Sequence, residues 1–317
     1  KSASLFQENI LVYNSDSGNN FIKDVHELKR TGFKIYEADK TIFEETSFDK
    51  LEKIIQENKI QSLYVPLNMV LDGANAHILN LNWKKQTRIK LITSYNSPIT
   101  GRNAQFYGLT QVVKYFVSPL DSIIYRIQKR IFDILFSGIV IVGLLSWFIP
   151  LMAVFIWADS KGPVFFIQKR PGRFKKPISC IKFRSMTVNN RTEKSASRND
   201  ARITRIGKFI RKKSIDELPQ FFNVFFGQMS IVGPRPNLTS QNDRYIKIFD
   251  DYSNRMYLKP GITGLAQVSG ARGRIDTDIE MKHRVKYDIF YICNWSFALD
   301  IKIIIRTVLN IFRGEDK

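Results

Sequence analysis

The sequence predicts two folding units: a small α/β domain over residues 1–118 and, beyond a linker at 119–128, a mainly helical α+β unit over 129–317 built round a hydrophobic hairpin. Three observations carry this reading. Apolar runs alternate with helical patterns through the first third of the chain, an uncharged stretch extends from Ile134 to Ala158, and positive charge gathers in the second unit. With 317 residues there is room for two domains, and 44% hydrophobic residues are enough for packed cores and too many for a disordered tail.

In order along the chain, NILVY (9–13), FKIY (33–36), IQSLYV (60–65) and RIKLI (88–92) read as strands. Between them NFIKDVHELKRTG (20–32) and FDKLEKIIQEN (48–58) read as helices. Strands that alternate with helices predict a small parallel sheet covered by its crossovers. The first turn, NSDSGNN, offers only Gly18, where a dinucleotide site needs the glycines of G-x-G-x-x-G to let backbone approach a pyrophosphate. A structural or regulatory domain is therefore expected.

The segment ILFSGIVIVGLLSWFIPLMAVFIWA (134–158) passes the length threshold for a bilayer crossing. Pro150 removes a helical hydrogen bond inside it. The 16 residues before Pro150 would rise only ~24 Å, short of a ~30 Å hydrocarbon core. Both flanks are basic, with Arg126, Lys129 and Arg130 before and Lys161, Lys169, Arg170, Arg173, Lys175 and Lys176 after. A crossing would put one basic cluster outside. The expected structure is thus a re-entrant helix–break–helix hairpin with Pro150 at the break, and a Pro-kinked span is the alternative. DIKIIIRTVLNIFRG (300–314) reads either as an interfacial helix with snorkelling Lys and Arg or as an ordinary terminal helix packed on a core.

Residues 119–317 hold 34 Lys and Arg against 17 Asp and Glu, whereas 1–118 hold 15 against 12. The second unit must face something anionic: nucleic acid, an acidic membrane or a phosphate-bearing substrate. Cys180 and Cys293 have no CxxC partners, which excludes a disulfide framework and a thiolate zinc site. His26, His77 and His283 form no HExxH pairing, so any metal would be a hard ion held by oxygen.

Against this background KKSIDELPQFFNVFFGQMSIVGPRP (212–236) sets Asp216 beside Glu217. Ser214 to Glu217 matches a capping box, although that start would leave Pro219 at the fifth helical position; a start near Pro219 suits the proline better. Either way Asp216 lies beside a positive helix end. Basic residues surround the pair: Lys182 and Arg184 on one strand, Arg202, Arg205 and Arg211 just upstream, and Arg235 held between Pro234 and Pro236. KPGITG adds a Gly-rich turn with Gly261, Thr263 and Gly264. Singly these are a solvated strand face or a membrane-facing patch; together they describe a phosphate site with an acidic centre. A carboxylate there can attack phosphorus and divide one displacement into two, once a divalent cation and guanidinium groups neutralise the phosphates.

The ordered motifs KRIFDI, GPVFF, QKRPG, IKFRSM, RITRIGKFIRKKSIDELPQFFNV, GQMSIVGPRP, KPGITGLAQVSG, YDIFYICNWS and LDIKIII resemble the bacterial sugar transferases, the monotopic polyprenyl-phosphate phosphoglycosyl transferases, from about Lys129 to Phe312. The resemblance implies transfer of a sugar 1-phosphate from a UDP-sugar to undecaprenyl phosphate, with Mg²⁺ and release of UMP, at the cytoplasmic face of the bacterial inner membrane. It implies an aspartyl nucleophile at Asp216 and a metal-binding pair of Glu217 and Asp216. It also implies phosphate contacts at Lys182, Arg184, Arg211, Arg235 and the turn 260–264, and a re-entrant hairpin. Residues 1–118 then resemble the Rossmann-like, CoA-binding-like domain of the longer members, whose preceding transmembrane helices have no counterpart here, so the chain reads as a fragment.

The stretch ARGRIDTDIEMKHRVKYDIFYICNWS is similar to members acting in exopolysaccharide synthesis and favours UDP-glucose, with galactose or an N-acetylated sugar as alternatives. Where many relatives read PGITGLWQ, this chain has Ala266. Membrane lipids are expected partners, nucleic acid is not, and self-association is left open. Two rival readings remain: a non-enzymatic module binding nucleic acid or anionic lipid, and a phosphohydrolase using the same nucleophile with water as acceptor.

Overall fold

Strand β1 (Glu8–Tyr13) is apolar on both faces because helices cover both. Ile10 and Val12 face α1 (Asp16–Glu27) and meet Phe21 and Val25, whereas Leu11 and Tyr13 meet Leu51 and Ile55 of α2 (Phe48–Glu57). Burial on both faces is what turns a strand into a continuous apolar run. With β2 (Phe33–Ala38), β3 (Ser62–Pro66), a short α3 (Leu67–Leu71) and β4 (Arg88–Thr93), the sheet runs β2-β1-β3-β4, all parallel. It continues through β6 (Thr110–Lys114) to β5 (Ala104–Tyr107), an antiparallel hairpin that the strand–helix rhythm did not indicate.

Helix α1 starts four residues earlier than its pattern suggests, because the Ser15 hydroxyl accepts the Gly18 N–H at 3.1 Å. A Cβ at Gly18 would meet the Tyr13 carbonyl, so this glycine serves the close approach of helix to strand.

The computed structural model describes residues 8–27, 33–43, 48–71, 78, 87–93, 104–114, 118–188, 200–271, 273, 275 and 277–313; His77 and the end of the helical pattern at 28–32 lie outside them. The chain divides into two compact units, Lys1–Val117 and Ser118–Lys317.

In the second unit the stretch expected to be a linker, 119–128, is folded. Ser118 and Asp121 form a capping box on a 3-10 turn, Pro119–Asp121, and α4 (Ile123–Val140) begins two residues later. A π turn at Ile141–Leu145 leads into α5 (Ser146–Asp159), so Ile123–Asp159 is one 37-residue helix, apolar and long enough to cross a membrane by length and composition. Pro150 does not end it; the irregularity falls earlier in the helix, where i→i+5 bonding puts the Ser146 N–H on the Ile141 carbonyl. Side chains engage the loosened carbonyls: Ser146 Oγ donates to Val142 at 2.6 Å and Trp147 Nε1 to Gly143 at 3.0 Å.

One stripe of this long helix is buried between Lys129 and Ile156, at Lys129, Asp133, Ser137, Leu145, Met152 and Ile156. The other presents Ile131, Leu135, Ile139, Val142, Trp147, Val154 and Trp157 outward. Lys129 bonds Asp300 at 2.6 Å, and Asp133 accepts the Ser230 hydroxyl and the Ile231 N–H at 3.1 and 3.0 Å. Near the far end Met152 and Ile156 pack with Phe183 and Ile210, and Asp159 accepts the Ile206 N–H at 2.8 Å.

The remaining elements are the hairpin β7 (Phe165–Pro171) and β8 (Pro177–Phe183), α6 (Arg205–Lys212), α7 (Gln220–Phe225), β9 (Ser230–Val232) and α8 (Thr239–Ile248). After them come β10 (Gly261–Thr263), which pairs in parallel with β9, then α9 (Leu265–Val268), α10 (Asp278–Cys293) and α11 (Phe297–Arg313). Helix α11 buries Asp300 and Ile303 and leaves Ile305, Val308, Leu309 and Phe312 exposed, so it both packs on the unit and carries an open apolar face.

Candidate active site

Thr204 caps α6, its hydroxyl accepting the Gly207 N–H at 3.0 Å, and the helix ends at Lys212. Ser214 then adopts a left-handed conformation, φ 56°, and makes no capping bond to the turn that follows. Asp216 and Glu217 lie in a 3-10 turn, Ile215–Glu217, with Pro219 heading α7. The capping-box reading therefore gives way to a helix start at the proline. At about three residues per turn, consecutive side chains diverge by roughly 120°. Glu217 points inward and is buried, whereas Asp216 is half-buried.

The divergence separates the two acids chemically. Lys182 Nζ lies 2.5 Å from Glu217 Oε1, and Arg235 grips both oxygens, Nη2 to Oε1 at 2.6 Å and Nη1 to Oε2 at 2.9 Å. Burial alone would raise the Glu217 pKa, but Arg235 and Lys182 hold it well below the usual carboxylate range. The Asp216 carboxylate, by contrast, accepts no hydrogen bond among the described residues. Burial raises its pKa, as does the adjacent Glu217 charge, against opposing pulls from Lys182, Arg211 and Arg235. One acid is thus locked and anionic; the other is open.

The basic residues singled out in the sequence separate into two groups. Lys182, Arg211 and Arg235 converge on the acids, Arg211 also donating to Ser185 Oγ at 3.4 Å. Arg184 turns away: buried, it donates to the carbonyls of Ser160 and Ile156 at the end of α5. Strand alternation placed it on the face of Lys182, but β8 ends at Phe183 and the pleat no longer governs residue 184. Arg202 is paired with Asp200, Nη2 to Oδ2 at 2.6 Å, and Arg205 is exposed on the first turn of α6.

The Gly-rich turn is built for backbone packing. A Cβ on Gly261 would fall on the Gly233 amide and one on Gly264 on the Gly233 carbonyl, so the two chains touch where the segment Pro234, Arg235, Pro236 departs. Thr263 turns its hydroxyl to Thr307, 2.7 Å away. Ala266 is buried in α9, so the position that departs from PGITGLWQ is a packing site.

Asn223, which the sequence reading passed over, ties the acid turn to β8. Its side chain donates to Ser179 O at 2.6 Å and accepts the Ile181 N–H at 3.0 Å, fixing α7 against the strand that carries Lys182. The available signal was an amide set among the aromatics of FFNVFF.

A divalent ion needs oxygen donors. Three hydrogen bonds use three of the roughly four lone-pair sites of Glu217, which leaves one on Oε2, and Asp216 is open beside it. Among the described residues no cluster of three metal-ligating side chains exists. Such a donor set fits an ion held by one or two carboxylates and completed by substrate phosphates.

A family profile for the bacterial sugar transferases matches residues 124–314, and the chain belongs to that family. It is 49% identical over 205 residues to the UDP-glucose:undecaprenyl-phosphate glucose-1-phosphate transferase of Klebsiella pneumoniae, covering 64% of this chain and 43% of that one. The protein of the same name in Xanthomonas campestris pv. campestris is 38% identical over 274 residues, 83% of this chain and 55% of the relative. A UDP-N-acetylgalactosamine-undecaprenyl-phosphate N-acetylgalactosaminephosphotransferase of Aeromonas hydrophila is 41% identical over 201 residues, 62% and 46% of the two chains. The chain spans about half the length of these relatives.

Proposed function

We propose that the protein transfers a sugar 1-phosphate, glucose 1-phosphate first among the candidates, from a UDP-sugar to undecaprenyl phosphate through a covalent intermediate on Asp216. The observation that carries this is the asymmetry of the acid pair. Glu217 is held by three hydrogen bonds from Lys182 and Arg235, whereas Asp216, one residue away, keeps its oxygens open within the same positive field. An Asp216 oxygen attacks the phosphorus that bears the sugar, the bond to the bridging oxygen breaks, and UMP leaves. An oxygen of the lipid phosphate then attacks the same phosphorus and regenerates the carboxylate. Lys182, Arg211 and Arg235 oppose the charge gathering on the phosphoryl oxygens. Mg²⁺, held by the remaining Oε2 site of Glu217 and by diphosphate oxygens, would neutralise the donor so that an anion can approach it.

The names of the relatives favour UDP-glucose over an N-acetylated sugar, since the 49% identical protein is named for glucose and the 41% identical one for N-acetylgalactosamine. The acceptor is long and apolar, and the exposed face of α4 and α5 suits a lipid surface. Because the buried stripe runs from Lys129 to Ile156, the helix rests against the catalytic unit at both ends. The helix continues through Pro150 without the expected break, and its contacts support both ends lying at one face, the cytoplasmic face of the inner membrane, over a span whose far end would lie a bilayer away.

Labelled UDP-glucose supplied with and without undecaprenyl phosphate tests the reaction. Label should enter the lipid phase only with the acceptor, and both Asp216→Asn and chelation should abolish it. A water-soluble sugar phosphate as sole product would instead mark a hydrolase. For topology, cysteines introduced before Ile134 and after Ala158 should react from one side; reaction from opposite sides would show a span.

A further inference from the structure

The segment Pro234, Arg235, Pro236 carries the guanidinium that locks Glu217, yet its two prolines have no N–H with which to join a ladder. Apart from the Arg235 N–H, its backbone can be anchored only through its carbonyls, and all three are engaged. Pro234 O accepts the Gly261 N–H at 3.0 Å, Arg235 O accepts Arg255 Nη2 at 2.9 Å, and Pro236 O accepts Arg170 Nη1 at 2.7 Å. Two of the three donors are guanidinium groups reaching in from elsewhere in the unit, Arg170 from β7 and Arg255 from the 3-10 segment Asp250–Tyr257.

Arg255 is itself aimed. Its Nε and Nη2 lie 2.9 and 2.6 Å from Asp288 Oδ2 on α10, and its Nη1 donates to Tyr252 OH at 3.3 Å. The same hydroxyl accepts the Asn237 amide at 2.8 Å, one residue past the proline pair. Both members of the Arg255–Asp288 pair are about as buried as a residue can be, with side chains 3% and 2% exposed. A buried ion pair adds little stability over well-packed apolar residues of the same volume, so stability does not explain its presence. The position of the Arg235 carbonyl does.

We infer that Arg255, oriented by Asp288 and assisted by Arg170, is a positioning residue that acts on the acid pair through the Arg235 backbone. This rests on the transferase reading for its kinetic consequence but not for its structural one. Without the anchors the segment keeps its prolines and its charge, while the Arg235 fork loses its register on Glu217.

The test uses the full chain in lipid, with Arg255→Lys, Asp288→Asn and Arg170→Gln as separate variants. Hydrogen–deuterium exchange over residues 230–238 should speed up by about tenfold in the Arg255 and Asp288 variants while protection of the sheet in residues 8–114 is unchanged. With UDP-glucose and undecaprenyl phosphate, kcat should fall by roughly tenfold or more and KM by less than about threefold. In combination with Arg235→Lys, the Arg255→Lys effect should largely disappear, since both act through one contact. Unchanged exchange in a folded variant overturns the inference, and so do losses that multiply in the double variant. A wild-type chain that releases no UMP overturns the transferase reading and leaves the exchange result to decide this one. Arg170→Gln removes one anchor and leaves the Arg255–Asp288 pair in place, so it gives the folded control if the buried pair proves intolerant.

Discussion

Arg235 straddles Glu217, with one guanidinium nitrogen 2.6 Å from Oε1 and the other 2.9 Å from Oε2. A fork of two parallel bonds fixes direction as well as charge, and an ammonium cannot reproduce it. Arg235→Lys is expected to lower turnover by about ten- to a hundredfold with the chain still folded. UMP release under saturating donor checks this; a wild-type rate would show that charge alone suffices.

The two acids should part company on acidification. Asp216, raised above its ordinary 3.8 first by burial and then by Glu217, must be ionised to attack, so the acid limb of kcat should lie above that value. Glu217 is lowered from 4.5, because Arg235 and Lys182 outweigh its burial; its contribution to stability is complete above 4.5 and is lost only as pH falls through the lower folded value. Activity should therefore disappear at a higher pH than the fold does. Parallel pH–rate and melting series would show the order.

Gly261→Ala places a methyl group on the Gly233 amide, where both partners are backbone and neither can swing aside. Overpacking of this kind costs about 1–3 kcal/mol. Because the displaced chain leads directly into Pro234, the variant should lose activity by more than its loss of stability explains. A melting curve and a UMP-release assay on the same preparation separate the two.

In the first unit Lys90 is buried on β4, 2.6 Å from Tyr64 OH and 3.7 Å from Glu8, with Arg88 and Lys114 also acting on it. Burial lowers its pKa to about 8 from 10.5. Between these values the unfolded chain holds a proton that the folded one does not, so stability should rise with pH from 8 towards 10, where Tyr64, raised by burial, begins to oppose it. Lys90→Met should abolish that rise. Thermal melts from neutral to alkaline pH, with and without the substitution, supply the check.

What the sequence made legible was whatever depends on local pattern. The alternation of apolar runs located the first four strands, because a sheet covered on both faces leaves few polar positions to blur the signal. The β5–β6 hairpin was missed because AQFY and TQVVK are short, although Gly108, at a positive φ, opens a two-residue loop between them. Around the acids, adjacency in the chain identified Asp216, Glu217 and Arg235 as candidates, but not which carboxylate stays open. That depends on the 3-10 turn and on Lys182, 35 residues away in sequence. Arg184 shows the limit of reading faces from spacing, since two residues on one strand share a side only while the strand lasts. Arg255 and Asp288 carried no local signal, as their pairing exists only after folding.

The long apolar helix at once carries an exposed apolar face and forms a wall of the unit that holds the acid pair. Met152 and Ile156 close over Phe183 and Ile210, and Asp133 steadies the strand that delivers Arg235. Trimming residues 123–159 to obtain a water-soluble enzyme would strip the cover from those side chains and release β9 in the same stroke. Detergent or nanodisc preparations that retain the segment keep that interior intact, and a loss of activity on truncation would speak of a dismantled interior as much as of a missing anchor.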